Sequence, residues 1–192
     1  MSLDLKTLPF ANDLPKGLSA GFSQADCVVE PSLVDQALDQ LAVQMTVALQ
    51  AHNPVLLSVL HGGLYFTGQL MRRVVFPLQQ GYVHVSRYRD ETEGGELQWH
   101  GYSFPPLAGR TVILVDDVLD RGITLAALQE WALQQNAAEV YLSVLVDKGI
   151  QPRPVDADFV ALECPDRFLF GCGMDLQGYG RNLPGIYALA ET

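Results

Sequence analysis

Three short runs carry almost nothing but apolar side chains: Val55–Leu60, Thr111–Val115 and Val140–Val146. Each is shorter than an ordinary helix, and a strand that is apolar at nearly every position must be covered on both faces. Helical spacing fills the gaps between them. Ser32, with Asp35 three residues on, reads as an N-cap. Val34, Leu38, Leu41, Met45 and Ala48 then follow at steps of 4, 3, 4 and 3 until Asn53-Pro54 stops the helix. Leu64–Val75 and Leu125–Gln135 read as two more helices. This alternation predicts an α/β chain: an open, mainly parallel twisted sheet with helices on both faces. Tyr82–Tyr88 alternates like a strand, with Leu97–Trp99 as a hairpin partner, and Asp158–Leu162 and Gly185–Leu189 are weaker strand patterns. Residues 1–31 hold Pro9, Pro15, Gly17, Gly21 and Pro31, which predicts an irregular lead-in with one short strand or turn.

A chain of 192 residues with 48% hydrophobic and 18% charged residues fits one domain with a real core. Twelve Lys+Arg against 22 Asp+Glu give a net charge of −10. Such a balance argues against nucleic acid and anionic membranes as partners, since both attract Lys and Arg. A small phosphorylated ligand stays possible, because a few backbone N–H groups, an Arg or a cation suffice to hold it. Cys27, Cys164 and Cys172 form no CxxC pair and are odd in number, which suits reduced thiols in the cytoplasm. No signal peptide and no membrane span is expected: the start lacks a basic segment followed by an apolar stretch, and no apolar run approaches about 18 residues. His52, His61, His84 and His100 share no metal-ligand spacing.

The most informative segment runs from Val112 to Leu125. An apolar strand delivers Asp116-Asp117. Asp120 follows three residues later, then Arg121, Gly122, Ile123, Thr124 and a helix. A helix start offers unpaired N–H groups to a phosphate. Carboxylates beside it make sense only if they hold ribose hydroxyls, a Mg²⁺ or a transferable proton. His61-Gly62-Gly63 and Asp147-Lys148 end two other strands, and ligands in such sheets sit beyond the carboxyl ends of the strands. These ends are therefore expected to converge on one site.

The segment resembles the phosphoribosyl-pyrophosphate motif of the type I phosphoribosyltransferases, and the resemblance extends over most of residues 30–190. It is similar to the 6-oxopurine (hypoxanthine-guanine) branch. Leu60-His61-Gly62-Gly63 resembles the pyrophosphate loop, and Ser86-Arg87-Tyr88 the start of the active-site lid. Val146-Asp147-Lys148 resembles the strand end that faces the purine. Pro165-Asp166-Arg167-Phe168-Leu169-Phe170-Gly171, with Asp175 and Arg181-Asn182-Leu183-Pro184, resembles the hood over the base. The resemblance implies the type I phosphoribosyltransferase fold plus a small hood. It implies a single domain over 1–192, with the hood built from the lead-in and about 163–192. It implies transfer of the phosphoribosyl group from phosphoribosyl pyrophosphate to a 6-oxopurine in purine salvage, with Mg²⁺, in a cytoplasmic homodimer or homotetramer.

The same resemblance implies residue roles. Asp120 is the proton acceptor near N7 of the purine. Asp116 and Asp117 hold the ribose hydroxyls, and with Asp175 they help place Mg²⁺, mostly through ligand and water. Gly122, Ile123 and Thr124 bind the 5′-phosphate together with Arg121. His61 and Gly62 offer backbone N–H to pyrophosphate, which Arg181 also meets. Lys148 donates to O6, Phe168 stacks on the base, and the Leu169 carbonyl and Asp175 face its edge. Arg87 and Tyr88 belong to the lid, and Arg89–Glu96, charged and free of apolar anchors, reads as its mobile loop. Three positions depart from the family pattern: Asp116 where Glu is usual, Arg121 where a small hydroxyl residue is usual, and Arg87 inserted between Ser86 and Tyr88. Two other classes compete. A non-catalytic regulator with the same fold that acts on nucleic acid needs an added basic face, which a charge of −10 does not offer. A phospho-accepting receiver domain places its acid pair near the first strand and needs no phosphate cradle.

Overall fold

The computed structural model describes Leu5 and residues 14–15, 18–87 and 97–190, and the architecture below is that of these residues. In chain order the elements are α1 (Leu18–Ser23), β1 (Asp26–Val29), α2 (Pro31–Leu49), β2 (Val55–Leu60), α3 (Gly63–Met71), β3 (Gln79–Arg87), β4 (Leu97–Ser103), β5 (Thr111–Leu119), α4 (Ile123–Gln134), β6 (Glu139–Asp147), β7 (Phe159–Glu163), β8 (Leu169–Phe170) and β9 (Ile186–Ala188). Six strands form one sheet in the order β4-β3-β2-β5-β6-β7. All neighbours are parallel except the edge strand β4, which runs antiparallel to β3.

The apolar runs are apolar because both sides of this sheet are covered. Ile113 and Val115 of β5 face α2 and α3, where Leu38, Leu41, Met45, Phe66 and Leu70 complete one core. Val112 and Leu114, one residue out of phase, face α4 with its Leu125 and Leu128. A second, three-stranded antiparallel sheet, β1-β9-β8, has its own small core of Leu18, Phe22, Phe170, Leu176, Leu183 and Tyr187.

Several sequence expectations are corrected. Ser32 is not the N-cap: Glu30 takes that place with no side-chain cap bond, and Pro31 opens α2. Its fixed φ and missing N–H suit the first helical position. The lead-in holds a short strand, as expected, in β1, and adds an unexpected helix, α1, whose Leu18 and Phe22, one turn apart, are buried. The helix expected to run to Val75 stops at Met71, and the chain turns before Phe76-Pro77. β5 does not end at its acids but carries them inside the strand as far as Leu119. β4 reaches Ser103, because edge pairing with β3 holds residues whose pattern is not apolar. Tyr88 and Arg89–Glu96 lie outside the described residues, and of Arg87 only the backbone, the last of β3, is described.

Candidate active site

β2 and β5 are neighbours, yet the chain leaves β2 for β3 on one side and β5 for β6 on the other. Such a reversal opens a crevice beyond the strand ends. A cavity of about 460 Å³ lies there, lined by Leu60 and Gly62 from the β2 end, by Asp116 through Leu125 from β5 and α4, and by Asp175 and Arg181. The Leu60-His61 peptide is cis. A Cβ on Gly62 would lie 1.8 Å from Asp117 Oδ2, and one on Gly63 would lie 2.4 Å from the Val115 carbonyl oxygen. Only glycine lets this turn approach β5 so closely.

The His61 side chain is exposed and is not part of that cavity wall. Its ring meets that of His84 at 4.3 Å, and His84 meets His100 at 4.8 Å. Burial, and then His61 and His100, lower the pKa of His84. Among the described residues no group of three or more His, Cys, Asp or Glu is arranged to hold a metal ion.

Asp116 and Asp117 stand side by side. The Asp117 N–H donates to Asp116 Oδ1 at 2.9 Å. Burial, and then the neighbouring charge of Asp117, push the Asp116 carboxyl well above the usual carboxylate range. Burial also raises Asp117, but its hydrogen bond to the Asp116 side chain and the charge of Arg181 work against that. The cavity thus holds two desolvated acids that a cation or sugar hydroxyls would relieve. Arg181 is aimed by Asp175, whose Oδ1 it meets at 2.6 Å, and by the Gly173 carbonyl, to which its Nη1 donates at 2.6 Å. The other Asp175 oxygen accepts the Gly178 N–H at 2.6 Å.

Opposite the acids lies the start of α4. Gly122 is its N-cap with φ 72°, in the left-handed region, and contributes no side-chain cap. The first helical bond runs from the Ala126 N–H to the Gly122 carbonyl. The N–H groups of Ile123, Thr124 and Leu125 therefore precede the helical ladder, at the wall of the cavity. Unbonded N–H groups at a helix start can receive an anion.

A second cavity of about 220 Å³ shares Asp117, Asp120 and Asp175 with the first and adds Lys148, Phe168 and Leu169. Lys148 Nζ stands 3.8 Å from Asp120 Oδ2 and 3.5 Å from Asp166 Oδ1. Phe168 is 53% exposed, so its ring is a free platform at this cavity and not a core residue. Leu169 is buried in β8.

Thus the structure gathers Asp116, Asp117, Asp120, Arg121, Gly122, Ile123, Thr124, Gly62, Arg181, Lys148, Phe168, Leu169 and Asp175 along one crevice. Three features escaped the sequence reading. Asp166 faces Lys148. Arg153 grips Asp147 behind it. Three histidines meet, His61 just past β2, His84 in β3 and His100 in β4. Asp166 and the histidines come from separate segments, and Arg153 reaches Asp147 only because the loop after β6 folds back on itself.

A parallel sheet with paired acids and a helix start with unbonded N–H groups at its switch point is the arrangement in which open α/β sheets hold small ligands. The family model described as the phosphoribosyl transferase domain matches residues 31–177, and the chain belongs to that family. Among curated relatives, a hypoxanthine-guanine phosphoribosyltransferase of Streptococcus thermophilus is 31% identical over 173 residues, 88% of this chain and 92% of the relative. A hypoxanthine-guanine-xanthine phosphoribosyltransferase of Tritrichomonas foetus is 28% identical over 161 residues, 83% of this chain and 88% of the relative. Among solved structures, a hypoxanthine phosphoribosyltransferase of Staphylococcus aureus superposes with a TM-score of 0.81 at 25% identity, covering 86% of this chain and 91% of that one.

Proposed function

We propose that this protein is a purine phosphoribosyltransferase: it moves the 5-phosphoribosyl group from phosphoribosyl pyrophosphate to hypoxanthine, guanine or both, releases pyrophosphate, and so serves purine salvage. The observation that carries this reading is the pair of adjoining cavities. One joins carboxylates to a phosphate cradle. The other, sharing Asp117 and Asp120, presents a cation and an exposed ring.

In this reading the 5′-phosphate sits on the N–H groups of Ile123 and Thr124, with Arg121 beside it. The ribose hydroxyls meet Asp116 and Asp117. Pyrophosphate lies between the Leu60–Gly62 turn and Arg181. The purine stacks on Phe168, with O6 toward Lys148. A ring nitrogen bonds to C1 of the ribose as the bond from C1 to pyrophosphate breaks, and Asp120 accepts the proton the base gives up. Most of the rate comes from holding the two substrates in register and from charges fixed where charge develops. The donor set fits Mg²⁺, which keeps several waters and takes one or two carboxylates plus phosphate oxygens. Asp116, Asp117 and Asp175 are the groups that would help place it, mostly through ligand oxygens and water. Bound there, it would neutralise pyrophosphate charge.

Among the described residues no helix is long and apolar enough to cross a membrane. The proposal includes a cytoplasmic homodimer or homotetramer. The three-stranded sheet is taken as the hood.

The test is a coupled assay of pyrophosphate release with Mg²⁺, phosphoribosyl pyrophosphate and each purine in turn. A protonated Lys is donor-only, so a 6-oxo group pairs with it and a 6-amino group does not. Sites built on such a bond discriminate by up to roughly 10⁴–10⁵-fold. Hypoxanthine or guanine is expected to turn over and adenine to be refused. Comparable kcat/KM for adenine and hypoxanthine would overturn the 6-oxopurine assignment.

A further inference from the structure

We infer that Arg153 and Asp147 form a positioning pair that aims Lys148 into the base cavity, and so control purine affinity without touching the purine. The inference rests on the reading of Lys148 as the donor to the base. Arg153 Nη1 donates to Asp147 Oδ1 at 2.6 Å and Nη2 to Oδ2 at 2.9 Å, a two-pronged grip. Both side chains are enclosed, with exposures of 8% and 12%. The Arg153 Nε also donates to Asp156 Oδ1 at 2.8 Å. The Gly149 N–H donates to Asp147 Oδ1 at 2.7 Å, and Gly149 has φ 65°. The loop after β6 is thereby folded back and tied to the strand end.

Lys148 is the residue between these ties. Its own N–H donates to the Leu119 carbonyl at 3.1 Å, and the Asp147 carbonyl accepts the Cys164 N–H at 2.9 Å. The strand end is thus held by Leu119 of β5, at Lys148, and by Cys164, just past β7, at Asp147, while the Asp147 side chain ties down the loop that follows. The ammonium itself is held less firmly, since its acidic neighbours stand at 3.5 and 3.8 Å. Its aim therefore depends on where the backbone launches it. Lys148 also lines a further cavity of about 410 Å³ beside Arg153, Glu163 and Cys164. Without the clamp it has somewhere else to go.

The test compares Lys148→Ala, Arg153→Ala and the double variant in the full chain. Arg153→Ala is expected to lower kcat/KM for hypoxanthine by about 10- to 100-fold, the scale of a misaimed group, while the KM for phosphoribosyl pyrophosphate stays within about twofold. Added to Lys148→Ala it should cost little more, because residues acting through one another do not add. Calorimetric affinity for inosine monophosphate should fall in the same pattern. Additive losses, or equal losses on both substrates, would overturn the inference while leaving the transferase reading intact. An unmodified protein that uses no 6-oxopurine would overturn both. If Arg153→Ala does not fold, Arg153→Lys, which keeps the charge but loses the fork, must show the same split on a smaller scale; an equal effect on both substrates, or none, would overturn the inference.

Discussion

At the scale of single residues, the site depends on where a few charges are fixed. Asp120 stands beside Lys148 at the junction of the two cavities. Asp120→Asn keeps size and most hydrogen bonding but cannot take a proton. Turnover should fall by roughly 10²–10⁴-fold, the usual worth of general base catalysis, with a modest change in KM for phosphoribosyl pyrophosphate. Steady-state kinetics decides, and unchanged turnover would remove Asp120 from the chemistry. Gly62 makes a different kind of contribution. A methyl group there would run into the Asp117 carboxylate, so Gly62→Ala must displace one or the other. About 10²-fold in kcat/KM is expected from a shift near 1 Å, with phosphoribosyl pyrophosphate binding weakened in titration calorimetry.

At the scale of elements, the crevice opens where the strand order reverses between β2 and β5, and one wall of it is set by the close approach of α3 to β5. Gly63 begins α3 with no room for a Cβ against the Val115 carbonyl, a backbone atom that cannot turn aside. Gly63→Ala should therefore push α3 away from the sheet and cost about 1–3 kcal/mol, as overpacking does, measured by denaturant unfolding. An unchanged midpoint would contradict the close approach. The elements themselves were largely legible in the sequence. Val55–Leu60 and Thr111–Val115 read as buried strands because both their faces are covered, and that needs no partner to be known. β4 and β8 were harder, since Leu97–Ser103 is mostly polar and Leu169–Phe170 is two residues long. They are strands because β3 and β9 lie beside them.

At the scale of the whole molecule, the site costs stability. Burial holds Asp116 well above the ordinary carboxylate pKa, so the folded chain favours its protonated form. That contribution is complete below the ordinary range and is lost as pH rises through the raised value. Asp116→Asn should thus raise the Tm of the ligand-free protein near neutral pH by about 2–4 °C, the effect of about 1 kcal/mol in a chain of this size. The gain should vanish in acid, and the variant should lose transferase activity. Calorimetry across pH checks this, and a lower Tm at neutral pH would contradict it. Asp147 has the opposite sign. The Arg153 guanidinium holds it below the ordinary range, so its stabilisation is present above that range and is lost as pH falls through the depressed value.

By itself the sequence determined the alternation of strands and helices, the paired acids ahead of a glycine-capped helix start, and the strand-end lysine. Apolar periodicity and turn residues are local signals, and the acid–glycine–hydroxyl run keeps its chemistry on one short stretch of chain. Only the tertiary structure decided what those groups face. It set Asp166 and Asp120 around Lys148, Arg153 on Asp147, and the rings of His61, His84 and His100 in edge and tilted contact. It carried β5 through its acids because β6 pairs with it as far as Leu119. Most of these contacts join side chains from separate loops and strands, the Arg153–Asp147 pair needs its loop folded back, and their strength comes from the burial and proximity that folding creates.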